Sequence, residues 1–79
     1  MNLVVDIGNT LLKLAVFDGG RLVAQQCVGE LREETFAGLL GGARAARAVV
    51  ASTRGEAPAI VEAVRRHTDY LLEFTPATP

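Results

Sequence analysis

The stretch Met1-Asn2-Leu3-Val4-Val5-Asp6-Ile7-Gly8-Asn9-Thr10-Leu11-Leu12-Lys13-Leu14-Ala15-Val16-Phe17 decides the fold. Two apolar runs, Leu3-Val4-Val5 and Leu11-Leu12 with Leu14 to Phe17, flank the pentapeptide Asp6-Ile7-Gly8-Asn9-Thr10. The runs read as strands over residues 2–6 and 11–17. A Gly-Asn pair between such runs is a hairpin signal, because both residues tolerate positive φ. The turn therefore gathers a carboxylate, a glycine, an amide and a hydroxyl at one small spot.

Working outward, Asp18-Gly19-Gly20 is a second turn of the same kind, and residues 21–28 form a third strand with Leu22, Ala24 and Val28 on one face. Gly29 breaks that pattern. From Leu31 to Leu40 the residues Phe36, Leu39 and Leu40 share a helical face, and Gly41-Gly42 ends the helix. Val49-Val50-Ala51 marks a fourth strand over 47–52, followed by a polar link, Thr53 to Glu56. Pro58 suits the first turn of a helix. Ala57, Ile60, Val61, Val64 and Thr68 recur at steps of three and four, the clearest amphipathic pattern in the chain. Arg65, Arg66 and His67 crowd its end, where cations favour the helix dipole. A fifth strand spans 70–74, and the prolines of Thr75-Pro76-Ala77-Thr78-Pro79 oppose its continuation. The order is β-β-β-α-β-α-β, an α/β class with a mixed sheet. The helix between the fourth and fifth strands allows that pair to be parallel.

The first two strands are nearly continuous apolar runs, a pattern of strands covered on both faces. Two short helices cover one face only. The other face calls for a second lobe, a partner subunit or a second copy of the chain, so a homodimer or association through the uncovered face is expected.

Composition narrows the function classes. The chain has 79 residues, 49% hydrophobic and 22% charged, the balance of one small globular domain. A domain of this size buries only about 60% of the surface of its unfolded chain, so its stability is marginal. A formal net charge of −1 with no Trp and 5% aromatic residues supplies neither the basic footprint nor the stacking platforms of nucleic-acid binding. No apolar stretch reaches the length of a membrane span, and no secretory leader pattern opens the chain. Cys27 is the single cysteine, read as a buried, inert thiol in a reducing cytosol, so a cytoplasmic location is expected.

The turn carries the chemistry. Asp6, at the end of a central strand, can hold Mg²⁺ against substrate phosphates. Gly8 lets the backbone approach an anion closely. Asn9 and Thr10 add an amide, a hydroxyl and their own N–H groups, and Lys13 adds a positive charge. No Walker P-loop is present, since GxxxxGK[ST] is missing and a strand, not a helix, follows the turn. By themselves the five residues favour a plain hairpin, because Asp-x-Gly-Asn is common turn chemistry and Lys13 reads equally as a surface lysine.

Their place in the order of elements reverses that preference. Strand, Asp-Ile-Gly-Asn-Thr turn, strand, glycine turn and strand, then alternating helix and strand, resembles the first lobe of the acetate kinase/hexokinase/Hsp70/actin superfamily, a ribonuclease H-like or actin-like ATPase fold. The closest resemblance is to the type III pantothenate kinase family, carried by Met1 to Thr10, Lys13, Leu14 to Phe17 and Asp18-Gly19. Val49-Val50-Ala51-Ser52-Thr53 and Phe74-Thr75-Pro76 with Pro79 resemble later segments of that family. The match is specific in the first eighteen residues and extends over the chain at the level of element order. It implies an ATP-dependent kinase that phosphorylates pantothenate, the first step of coenzyme A synthesis. By the resemblance, Asp6 helps place Mg²⁺, and Gly8, Asn9 and Thr10 contact ATP phosphates. Lys13 joins them, at a place where the family does not always carry lysine. Leu11 stands where many relatives have a polar residue, and its side chain adds nothing to binding.

Family members are several-fold longer. Their second phosphate motif, adenosine site, catalytic base and monovalent-cation site (K⁺ or NH₄⁺) fall beyond Pro79, so no catalytic residue is assignable here. Residues 1–79 are accordingly expected to be a single amino-terminal lobe, inactive alone. Two other readings stand beside this one: a non-catalytic phosphate-binding or self-associating domain, and a lobe of another sugar kinase or actin-like ATPase. Other residues have plainer readings. His67 reads as a helix-end residue, Arg44, Arg47 and Arg54 as solvated charge, and Asp69 as a turn residue. Ser52 and Thr53 divide evenly between a pocket and a cap or loop role.

Overall fold

The computed structural model describes residues 1–74; the Thr75 to Pro79 segment, with its Thr-Pro resemblance, lies outside the described residues. The strands are β1 (Asn2–Ile7), β2 (Leu12–Asp18), β3 (Arg21–Val28), β4 (Arg47–Ser52) and β5 (Leu71–Phe74), with helices α1 (Glu33–Leu40) and α2 (Pro58–Arg65). They form one mixed sheet in the order β3-β2-β1-β4-β5. β1 pairs antiparallel with β2 and parallel with β4, and β4 pairs parallel with β5. This is an α/β architecture compatible with an actin-like ATPase lobe. Among the described residues no helix is long and apolar enough to cross a membrane.

The apolar runs of β1 and β2 alternate in burial. Leu3, Val5 and Ile7 are fully buried, as are Leu14 and Val16 to within one per cent, while Asn2, Val4 and Asp6 face out. α1 and α2 pack on the same face, and Phe36, Leu39, Leu40, Val61 and Val64 join the strand residues in one core. Burying a side chain such as Phe36 contributes about 2 kcal/mol. The opposite face has no cover among the described residues. Val4, Leu72 and Phe74 are 38%, 42% and 45% exposed there.

Several local expectations are met. Gly19 and Gly20 take φ of 59° and 81°, the paired positive φ of a tight two-residue hairpin between Asp18 and Arg21. Pro58 opens α2 at its first turn. Gly41, left-handed at φ 61°, ends α1 with its N–H donating to the Ala37 carbonyl at 2.9 Å. α1 begins at Glu33 because Arg32 is extended, and Glu33 and Glu34 place negative charge in the first turn.

Others are corrected. Gly8 and Asn9 do not use positive φ; the first hairpin has a four-residue loop, 8–11, and needs none. Leu22 is 47% exposed because the β2–β3 register shifts between Val16 and Phe17. The bulge turns Leu22 onto the uncovered face beside Phe17, while Ala24 stays on the helix side. Cys27 is exposed, not buried, since its partner Lys13 is on the open face. Arg44 is no free loop charge. Its guanidinium donates to Asp69 Oδ1 at 2.9 Å and to the Arg66 and Thr68 carbonyls at 2.8 and 2.7 Å, satisfying acceptors just past α2.

His67 is likewise more than a helix-end cation. Its ring stacks on Phe36, with centroids 4.1 Å apart, and its Nε2 is 2.8 Å from Glu33 Oε2. Arg66 donates to Glu33 Oε1 at 3.3 Å. One carboxylate thus ties the start of α1 to the end of α2. The hydrogen bond from His67, then that from Arg66, holds the Glu33 carboxyl below its ordinary value of 4.5. A depressed folded-state pKa gives stability that is present above the unfolded value and lost as pH falls through the folded one. Urea unfolding of the protein and of Glu33→Gln over a series from neutral pH to well below pH 4.5 should show the wild-type advantage shrinking as pH falls. A difference that stays the same across the series would contradict the assignment.

Candidate functional site

The carboxyl ends of the parallel strands β1 and β4 lie side by side, since Ile7 pairs with Ser52. Open α/β sheets place ligands outside such strand ends. Two loops meet there: 8–11 after β1 and 53–57 after β4. The Gly8 N–H donates to the Leu11 carbonyl at 3.0 Å and closes the first loop on itself. A Cβ on Gly8 would stand 3.1 Å from that same carbonyl oxygen, so glycine serves here by its lack of a side chain. Its N–H is consumed in the closure. The N–H groups of Asn9 and Thr10 have no backbone acceptor among the described residues, and both residues are exposed.

Asp6 and Lys13 are direct cross-strand partners on the uncovered face, one residue inside the loop. Directly opposed side chains start about 5 Å apart at Cβ, close enough to act on one ligand. Among the described residues they form no salt bridge with each other. A surface cavity of about 420 Å³ contains both, with Gln25 and Cys27 on its wall. The structure thus gathers Asp6, Gly8, Asn9, Thr10 and Lys13 at one end of the sheet. A carboxylate, a cation and free backbone donors there can accept an anion and its counter-ion together.

Among the described residues no three His, Cys, Asp or Glu side chains converge. The donor set fits Mg²⁺ in the way that ion is commonly held, by one or two carboxylates with the remaining positions filled by phosphate oxygens and water.

Sequence left the roles of Ser52 and Thr53 open, and the structure separates them. Thr53 donates twice to the Ile7 carbonyl, from its N–H at 3.1 Å and its Oγ1 at 3.3 Å. It fastens the second loop to the end of β1. The polar link after a strand marked a loop in the sequence but not its anchor, since the Ile7 partner is 46 positions away. Ser52 is 8% exposed, and its Oγ has no hydrogen-bond partner among the described residues.

No protein-family model matches the chain. Among curated proteins it is similar to the type III pantothenate kinase of Azobacteroides pseudotrichonymphae genomovar. CFP2, at 28% identity over 74 residues, covering 94% of this chain and 30% of that protein. The chain therefore spans about 30% of the length of the curated relative it matches.

An unpaired buried hydroxyl costs about 1–3 kcal/mol of desolvation, whereas losing one side-chain hydrogen bond costs about 1 kcal/mol. Ser52→Ala should leave the unfolding free energy unchanged or raise it by about 1 kcal/mol, and Thr53→Val should lower it by about 1 kcal/mol. Urea denaturation of the two variants checks the pair, and a marked loss in Ser52→Ala would show that its hydroxyl has a partner.

Proposed function

We propose that the chain is the amino-terminal, ATP-phosphate-binding lobe of a type III pantothenate kinase. The observation that carries the reading is the Asp-Ile-Gly-Asn-Thr turn at the carboxyl end of the central strand, with Asp6 and Lys13 paired beside it. The similarity to a pantothenate kinase over 94% of this chain supports it. In this reading the N–H groups of Asn9 and Thr10, with the Thr10 hydroxyl, receive phosphate oxygens. Lys13 neutralises the anion from the β2 side. Asp6 orients Mg²⁺, which when bound offsets charge on the ATP phosphates. Gly8 keeps the loop low enough for the phosphates to approach. Thr53 holds the neighbouring loop at a fixed distance.

Phosphoryl transfer rests on positioning and charge stabilisation from several sides. Residues 1–79 form one wall. The base, the adenosine site, a K⁺ or NH₄⁺ site and the pantothenate pocket belong to the rest of the intact enzyme, with pantothenate as its acceptor.

One observation favours a second reading, a non-catalytic module that binds phosphate and self-associates: the uncovered apolar sheet face. Titration of the ¹⁵N-labelled chain with ATP and Mg²⁺ tests phosphate binding in either case. Amide shifts should concentrate at Gly8, Asn9 and Thr10. Lys13→Ala should weaken binding about tenfold, the factor that corresponds to about 1.4 kcal/mol. In the intact enzyme Asp6→Ala should abolish phosphorylation of pantothenate with the fold retained. Full activity in that variant would remove the kinase assignment, whereas absence of shifts in the isolated chain would remove the phosphate site from this lobe.

A further inference from the structure

A single peptide plane, Ile7–Gly8, stands between the two loops at the carboxyl ends of β1 and β4. Its carbonyl points toward β4 and accepts twice from Thr53, from the N–H at 3.1 Å and from Oγ1 at 3.3 Å. Its N–H points the other way and donates to the Leu11 carbonyl at 3.0 Å. A trans peptide is planar, with C=O and N–H on opposite sides, so a group that fixes the carbonyl fixes the N–H as well. The N–H bond closes loop 8–11, and the closure is tight: a Cβ on Gly8 would stand 3.1 Å from the Leu11 oxygen. Asn9 and Thr10 lie inside it, with no backbone acceptor for either N–H among the described residues. The direction of those two donors is set from the ends of the loop, the Ile7–Gly8 plane and the Leu11 carbonyl.

Any residue except proline supplies a backbone N–H at position 53, and that bond alone is enough to fasten the second loop. The hydroxyl does something further. A carbonyl oxygen has two lone pairs, and Thr53 engages both. One donor leaves the carbonyl free to tilt about the bond; two donors from one residue hold it. The β-branched threonine side chain is stiff at χ1, so its hydroxyl keeps one direction. Ser52 is the contrast next door: its Oγ is buried and has no partner among the described residues. We propose that Thr53 is a positioning residue for the Gly8-Asn9-Thr10 turn. Its hydroxyl clamps the Ile7–Gly8 plane and, through that plane, holds the Asn9 and Thr10 donors in the orientation that receives an anion.

Thr53 acts through the peptide and not by contact with the ligand. Donors held ready in this way lose less freedom when a ligand arrives, which raises affinity without a new contact. The consequence for ATP rests on the phosphate-binding reading; the clamp on the turn does not.

Amide hydrogen exchange of the ¹⁵N-labelled 79-residue chain reads the clamp without any ligand. Thr53→Val keeps the shape and the backbone N–H but drops the hydroxyl. It should speed exchange at Gly8 at least about threefold relative to Val5 in the middle of β1. A general loss of stability speeds both amides alike, so the ratio separates positioning from stability. Thr53→Ser and Ser52→Ala should each keep the wild-type ratio. Titration with ATP and Mg²⁺ should show Thr53→Val binding about threefold more weakly and Thr53→Ser binding as the wild type does. A Gly8 to Val5 ratio unmoved by Thr53→Val overturns the proposal. So does a serine variant as loose as the valine one, which would assign the effect to the methyl group, and so does an equal effect from Ser52→Ala. ATP shifts with undiminished affinity in Thr53→Val remove the positioning role and leave the phosphate site standing. Absence of ATP shifts, with the Gly8 ratio moving as expected, keeps the clamp and removes the phosphate reading.

Discussion

The pleat of β1 is the constraint on which the rest depends. Its six residues alternate without exception between the helix side and the open side. Leu3, Val5 and Ile7 must all be inside, and that fixes Asp6 outside, beside Lys13 and next to the loop. A slip of one residue would bury Asp6 and expose three large aliphatic side chains. The same apolar residues that stabilise the sheet therefore aim the carboxylate. Pairing on both edges adds to this: β2 delivers Lys13 to one side of Asp6, and β4 delivers Ala51, too small to obstruct it, to the other.

The order of elements was legible in the sequence because its signals are local. Gly19-Gly20, Gly41-Gly42 and Pro58 act on their own backbone, and the apolar spacing of α2 repeats within a few residues. The membership of the candidate site was legible for the same reason, since Asp6 to Lys13 is one hairpin. Side chains that depend on distant partners were not. Arg44 and Asp69, 25 positions apart, meet past the end of α2, and His67 finds Glu33 and Phe36 across the helix layer. No local pattern marks those choices. Leu22 and Cys27 failed differently. A β-bulge is one residue of register that alternation counting cannot see, and it moved Leu22 to the opposite face. Reading the first two strands as covered on both sides pointed to the open face, but the strands meet it with Val4 and Ala15 alone among their aliphatic residues, a thinner apolar stripe than the runs suggest.

The loop geometry refines the chemistry that the pentapeptide suggests. Gly8 is spent on closing its own loop, so the loop donors without a backbone acceptor among the described residues belong to Asn9 and Thr10. Thr53 locks the neighbouring loop to the Ile7 carbonyl, giving that end of the sheet two loops with a common anchor. Preorganised donors of this kind lose little freedom when a ligand arrives.

The central place of β1 has a consequence for cooperativity. β2, β3 and α1 pack among themselves, and so do β4, α2 and β5; β1 touches both sets. The Glu33 clasp and the Phe36–His67 stack join the halves through the helices, and β1 joins them through the sheet, where its residue Asn2 meets Arg47 across 45 positions of sequence. The first seven residues are thus a shared wall rather than an edge, and they pair with both halves at once. The Gly8-Asn9-Thr10 turn opens at the end of that wall. Whatever grips Gly8 to Thr10 there pulls on both halves of the molecule at once.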